Sequence, residues 1–186
     1  VSYRRPVTTA AELRQVALEE FAAAGYVGAS LQSIADRAGV SKASVLYHFS
    51  SKAALLDAAL SPAIEAIGEL LPATLKADAA DRLSFVAAFV DLLLEHRLAA
   101  QVFITQSGTL TDVPVIQRAQ EFIRMIAEAR PEQSLDQRVR FAVALGGAAY
   151  LLAQAGSLGA DGAPDDDELR SSLIRIVGEL LAPVPE

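Results

Sequence analysis

Residues 30–52 constrain this chain more than any other stretch. Ser30 is placed to cap a helix whose inner face is Leu31, Ile34, Ala35 and Ala38. Gly39 then stops that helix, because glycine tolerates the left-handed conformation a helix end demands. Val40 follows as a plug between two helices, and Ser41 caps the next one, with Val45 and Phe49 facing inward. Ser50 or Ser51 opens a further helix with Lys52 in its first turn. Two short helices joined by a tight turn, the second carrying Lys42, Ser44, Tyr47 and His48, form the pattern of a helix-turn-helix with its recognition helix aimed at DNA.

Composition narrows what surrounds this motif. The 186 residues are 52% apolar, enough for a substantial core in one unit or two small ones. There is no Cys, so disulfides, thiolate metal sites and a cysteine nucleophile are excluded, and His48 and His96 are too few for a His-rich metal site. No apolar run approaches the roughly 18 residues expected of a membrane span. No secretory signal pattern is present, which leaves the cytoplasm as the expected location. The chain begins at Val1 rather than Met, as a trimmed chain would.

The net charge of −7 argues at first against a nucleic-acid partner, but its distribution does not. Residues 1–54 hold six cations (Arg4, Arg5, Arg14, Arg37, Lys42 and Lys52) against four anions (Glu12, Glu19, Glu20 and Asp36), a net +2, while the remainder carries −9. A cationic head on an acidic body favours phosphate contact at one end only. A head of +2 is mild, so affinity must come from a few well-placed contacts doubled by dimerisation.

Helical periodicity organises the rest. Thr9 caps a first helix, with Glu12 in the capping-box position, Leu13, Val16, Ala17 and Phe21 on its inner face, and Gly25 at its end. The helix beginning near Lys52 runs through Leu55, Leu56 and Ala59 and is expected to kink or break near Pro62, since proline removes a helical hydrogen bond and clashes with the preceding turn. Another break is expected at residues 72–78. Five further helices are predicted at about 80–96, 98–107, 113–129, 135–156 and 166–182, with no strand alternation. The expected fold is all-α, about nine helices: a three-helix head over residues 1–54 and a helical body over residues 55–186.

The stretch from Thr9 to Leu56 resembles the DNA-binding domain of the TetR family of bacterial transcriptional regulators. The resemblance rests on Ala17, Phe21 and Gly25 in the first helix, and on Ser30, Ile34 and Ala35 in the second. It continues through Ala38, Gly39, Val40 and Ser41 at the turn, Ser44, Tyr47, His48 and Phe49 in the third helix, and Ser51, Lys52 and Leu55 in the fourth. It covers about a quarter of the chain, and as a combined pattern it is far more specific than a generic helix-turn-helix. One departure is Leu46, where the family often has Tyr. The resemblance implies an effector-binding and dimerisation domain in the body. It also implies a ligand-responsive regulator, most often a homodimeric repressor, with double-stranded operator DNA and a small-molecule effector as partners.

The candidate DNA contacts are Ser30, Ser41, Lys42, Ser44, Tyr47, His48 and Lys52. Lys42 and Ser44 lie where side chains reach base edges or phosphates, Tyr47 and His48 one turn later suit phosphate oxygens, and Ser30 and Lys52 flank them at two helix starts. Arg4 and Arg5 fit a minor-groove arm or a solvated tail equally well. In the body, Phe85, Phe89, Phe103, Phe122, Met125 and Tyr150 are candidate lining for an effector pocket, which favours a largely apolar ligand, although aromatic residues at helical spacing are core more often than cage. Gln101, Gln106, Gln120 and Arg124 lie close by as candidates to orient it, although polar residues at such positions are surface more often than ligand contacts. Residues 139–153 are apolar nearly all round after Arg140, and Leu169, Leu173, Ile176, Val177 and Leu180 form a stripe. Both are candidates for subunit contact. Asp165 to Glu168 suits a helix N-terminus, with Glu168 in the capping-box position, rather than a metal cage. No nucleophile elbow, phosphate loop or His–Glu metal motif is present, so neither catalysis nor a cofactor is expected. The alternative to a DNA-binding regulator is a helical small-molecule-binding protein without DNA-binding activity.

Overall fold

Local chemistry sets most of the helix ends. The computed structural model describes residues 9–76, 81–110, 112–128, 134–154 and 165–182, and among these it contains nine α-helices and no strand. Helix α1 (Ala10–Gly28) starts on a full capping box between Thr9 and Glu12. Gly25, at φ 72° and ψ 162°, breaks its regular course, and a last turn follows to Gly28. Ser30 caps α2 (Leu31–Ala38), which Gly39 ends at φ 74°, and Ser41 caps α3 (Lys42–His48). Ser51 accepts the Ala54 N–H and so starts α4 (Lys52–Lys76). The body adds α5 (Asp81–Glu95), α6 (Arg97–Gln106), a 3₁₀ turn at Ser107–Thr109, α7 (Pro114–Glu128), α8 (Leu135–Ala153) and α9 (Asp166–Leu181).

Helix α4 corrects the sequence expectation. It runs unbroken through Pro62 and through Pro72 to Lys76. The pyrrolidine of Pro62 faces solvent, while Ala59, Leu60, Ala63 and Ile64 around it are buried between α1 and the body. Packing on that face outweighs the single lost hydrogen bond.

Two apolar cores hold the chain. The first contains Phe21, Ile34 and Val45 of the head, and also Leu55 of α4, Val102 of α6, Leu110, and Val115 and Ile116 of α7. The second joins α5, α8 and α9 through Val86, Val90, Leu145, Leu152 and Val177. Ile67 on α4 packs against both. The interior of the head is thus continuous with residues of the body, although the chain was divided near residue 54 on sequence alone.

Candidate nucleic-acid interface

Helix α3 buries Val45 and keeps Lys42, Ala43, Ser44, Leu46, Tyr47 and His48 exposed. Val45 is fully buried and Phe49 nearly so, and together they anchor the helix in the first core, beside α2. Tyr47 is 86% exposed and meets the His48 ring edge-on at 5.2 Å. An aromatic residue this open, on a helix held so firmly from behind, has its polar tip free for an outside partner. The Ser41 hydroxyl accepts the Ser44 N–H at 3.1 Å and lies 2.9 Å from the Ser44 hydroxyl. Ser30 caps α2 by a reciprocal exchange with Ser33. Both serines are therefore caps whose hydroxyls remain exposed. Leu46 shares the open surface.

Lys52 lies elsewhere. Its ammonium donates to the Tyr26 carbonyl at 2.7 Å and the Ala29 carbonyl at 2.8 Å, and sits 4.3 Å from the centre of the Tyr26 ring. The side chain is turned into the protein and fastens α4 to the end of α1. Arg37 is likewise engaged, bonding Glu19 at 2.9 Å with Glu20 at 3.7 Å, so it ties α2 to α1. Arg4 and Arg5 lie outside the described residues.

The six aromatic and Met residues expected around a pocket are not brought together. Phe85 and Phe89 stack at 6.1 Å on the second core, whereas Phe103 and Phe122 pack on the first. Met125 and Tyr150 are exposed. A cleft of about 260 Å³ opens instead where α1, α4 and the start of α6 meet, lined by Arg14, Gln15, Pro62, Glu95, His96 and Arg97 among others. The stripe on α9 is largely spent within the chain: Leu173 and Val177 are buried, Leu169 and Leu180 pack on the second core, and Ile176 alone of the five is exposed. The outward apolar face belongs to α8, where Leu135 (72% exposed), Val139, Val143 (58%) and Tyr150 follow one another at helical spacing. Gly146 and Gly147 lie on the same open side, and a Cβ added to either would meet nothing within 4 Å. At the start of α9, Asp165 makes no side-chain cap. Asp166 reaches across to Arg97 at 2.6 Å, and three acidic residues face the positive end of the helix without a capping box.

Two connections went unseen in the sequence. The Gln106 side chain accepts the Tyr26 N–H at 2.5 Å and donates to the Phe21 carbonyl at 3.0 Å, joining the end of α6 to the end of α1. The Asp57 carboxylate accepts the Val115 N–H at 2.8 Å, so a side chain of α4 caps α7 from outside, and Arg118 donates to Ser61 at 2.9 Å beside it. Each links positions 57 or more residues apart, and no local pattern announces such a pair. Among the described residues no group of three or more His, Asp or Glu side chains is placed to hold a metal, and no helix is long and apolar enough to cross a membrane.

A short helix-turn-helix presented by an all-helical body defines a class, the DNA-binding transcriptional regulators. The family described as "Bacterial regulatory proteins, tetR family" matches residues 13–59. The HTH-type transcriptional regulatory protein RaaS of Mycobacterium tuberculosis is 30% identical over 154 residues, covering 78% of this chain and 71% of RaaS. The chain belongs to the TetR family of bacterial transcriptional regulators. Solved structures share the whole fold. The ketosteroid transcriptional regulator KstR2 of M. tuberculosis superposes with a TM-score of 0.69 at 16% identity, over 94% of this chain and 97% of its own. A TetR-family regulator from Bordetella parapertussis gives 0.69 at 21% identity, over 90% and 93%.

Proposed function

We propose that this transcriptional regulator is a homodimeric repressor that binds a near-palindromic operator and releases it when a small, largely apolar effector enters the body. The observation that carries the reading is the pairing of two unspent surfaces: the exposed face of α3 and the apolar outward face of α8. Apolar side chains in a row at helical spacing on one face are expected to be covered by a partner. A second copy of the same helix, with Ile176 of α9 at its margin, covers them by two-fold symmetry. Two copies of α3 then face successive major grooves, with half-sites about 34–36 Å apart.

On this reading Lys42, Ser44, Tyr47 and His48 meet the DNA, with the Ser30 and Ser41 hydroxyls at the flanking backbone and the Arg4 and Arg5 arm beside it. Lys52 acts through the protein rather than on phosphate. The effector is assigned to the helical body, near Ile67, which packs against both cores. Its entry shifts α4 and changes the separation of the two recognition helices.

Val143→Asp tests the assembly. The substitution puts a charge on the outward face of α8 at a residue that is itself exposed. Sedimentation should give a dimer for the wild type and a monomer for the variant, with operator affinity lost alongside. A variant that stays dimeric, or a monomer that binds operator as tightly as the wild type, would refute the reading.

A further inference from the structure

The turn between α1 and α2 is held from the body rather than by the head alone. With Gly25 at φ 72° and ψ 162°, the Tyr26 N–H is carried away from the Ala22 carbonyl it would meet in a continuous helix. The Gln106 carboxamide takes its place. Its Oε1 accepts that N–H at 2.5 Å, while its Nε2 donates to the Phe21 carbonyl on the other side of the break. The Tyr26 carbonyl then receives the Lys52 ammonium, which also binds the Ala29 carbonyl, one residue before the Ser30 cap of α2. Polar contacts thus run from the last residue of α6, through the end of α1, to the first residue of α4 and the start of α2. Eight residues beyond Gln106, Pro114 opens α7, and there Val115 N–H and Arg118 are tied to Asp57 and Ser61 of α4. Leu110 and Val113, between the two anchors, are buried in the first core.

We propose that Gln106 is a positioning residue for operator binding: it touches no DNA, but its amide fixes the α1–α2 turn on the body and so sets the direction in which each recognition helix points. The inference rests on the dimeric, operator-binding reading above. An amide suits the role because one planar group donates and accepts at once. Leucine offers neither function, and an ionised glutamate keeps only the acceptor.

The test uses the full chain with Gln106→Leu and Gln106→Glu. Operator affinity is measured on the preferred site and on sites whose half-site spacing is one or two base pairs longer or shorter, and hydrogen exchange is followed at the Tyr26 amide. We expect Gln106→Leu to keep its helical content, to exchange the Tyr26 amide at least tenfold faster, and to bind the preferred spacing at least tenfold more weakly. Its penalty for altered spacings should also shrink. A loss of affinity equal on all spacings would mean a merely structural role and would overturn the inference, as would unchanged spacing preference with Tyr26 still protected. If Gln106→Leu does not fold, Gln106→Glu decides: it keeps the acceptor for the Tyr26 N–H and loses the donor to the Phe21 carbonyl, so the penalty for altered spacings should shrink with Tyr26 still protected, and an unchanged spacing preference overturns the inference. If the wild type selects no operator, the regulator reading fails by itself. Tyr26 exchange unchanged by Gln106→Leu then overturns the clamp itself, whereas faster exchange sustains the clamp but not its role in operator binding.

Discussion

Replacing Lys52 by Met separates two roles for this side chain. Methionine keeps an unbranched stem of similar reach, so apolar packing along it is largely preserved. What is lost is a charged donor to two carbonyls, at 2.7 and 2.8 Å, and a cation over the Tyr26 ring at 4.3 Å. Hydrogen bonds from a charged group contribute about 1.5–3 kcal/mol each when buried. The lower end applies here because Lys52 is half-buried and water can replace part of the pair. With about 0.5 kcal/mol for the ring contact, the expected loss of stability is about 3.5 kcal/mol. For a chain of this length that lowers Tm by about 7–14 °C. A phosphate contact predicts something different. Each one contributes about 0.9 to the slope of log K against log salt, so losing one per protomer would reduce a dimer's slope by about 1.8. Calorimetry and operator titrations at several salt concentrations read both quantities. We predict a clear fall in Tm with the salt slope unchanged. A Tm close to that of the wild type together with the full drop in slope would refute the reasoning and return Lys52 to the DNA surface.

Tyr47→Ala should do the reverse: Tm holds, because the ring is 86% exposed, while operator affinity falls about 30-fold for a hydrogen bond of about 1 kcal/mol lost in each of two protomers. Gly39→Ala forces a Cβ into the left-handed region at φ 74°, ψ 28°, and should cost about 1–2 kcal/mol in urea unfolding. The hydrogen-bonded Arg170 guanidinium holds the Asp91 carboxyl below the usual carboxylate range, against a smaller opposing effect of desolvation. Because the folded-state value is depressed, the stability this pair contributes is present at neutral pH and is lost as pH falls through the folded-state value. Asp91→Asn should therefore flatten the acid limb of a Tm-versus-pH curve, and only slightly, since both partners are exposed.

What the sequence made legible was what is encoded locally. A capping box needs only Thr9 and Glu12, a left-handed turn needs only Gly39, and the identity of the helix-turn-helix follows from residues within one short segment. The break expected at Pro62 did not materialise, because its cost is met by the buried residues around it on α4. Helical spacing marked Phe85, Phe89, Phe103 and Phe122 as inward-facing but carried no information on which of two cores each would join. The same limit applied to α8 and α9, both apolar enough to seek a partner, of which α9 finds its partner within the chain. The partners of Lys52 and Gln106 within the protein are not legible in the sequence, because their acceptors and donors, 23 to 85 residues away, are backbone groups that no sequence pattern displays.

Two copies of α3, brought together through α8, are proposed to read a symmetric DNA site, and selection of bound duplexes from a random library, followed by titration of the enriched site and measurement of stoichiometry, is the deciding experiment. We expect enrichment of a near-palindrome with half-sites about one helical turn apart. Two chains should bind each duplex, with affinity that falls steeply with salt. An unenriched library at low salt, or an enriched site without symmetry bound by a single chain, would contradict this reading.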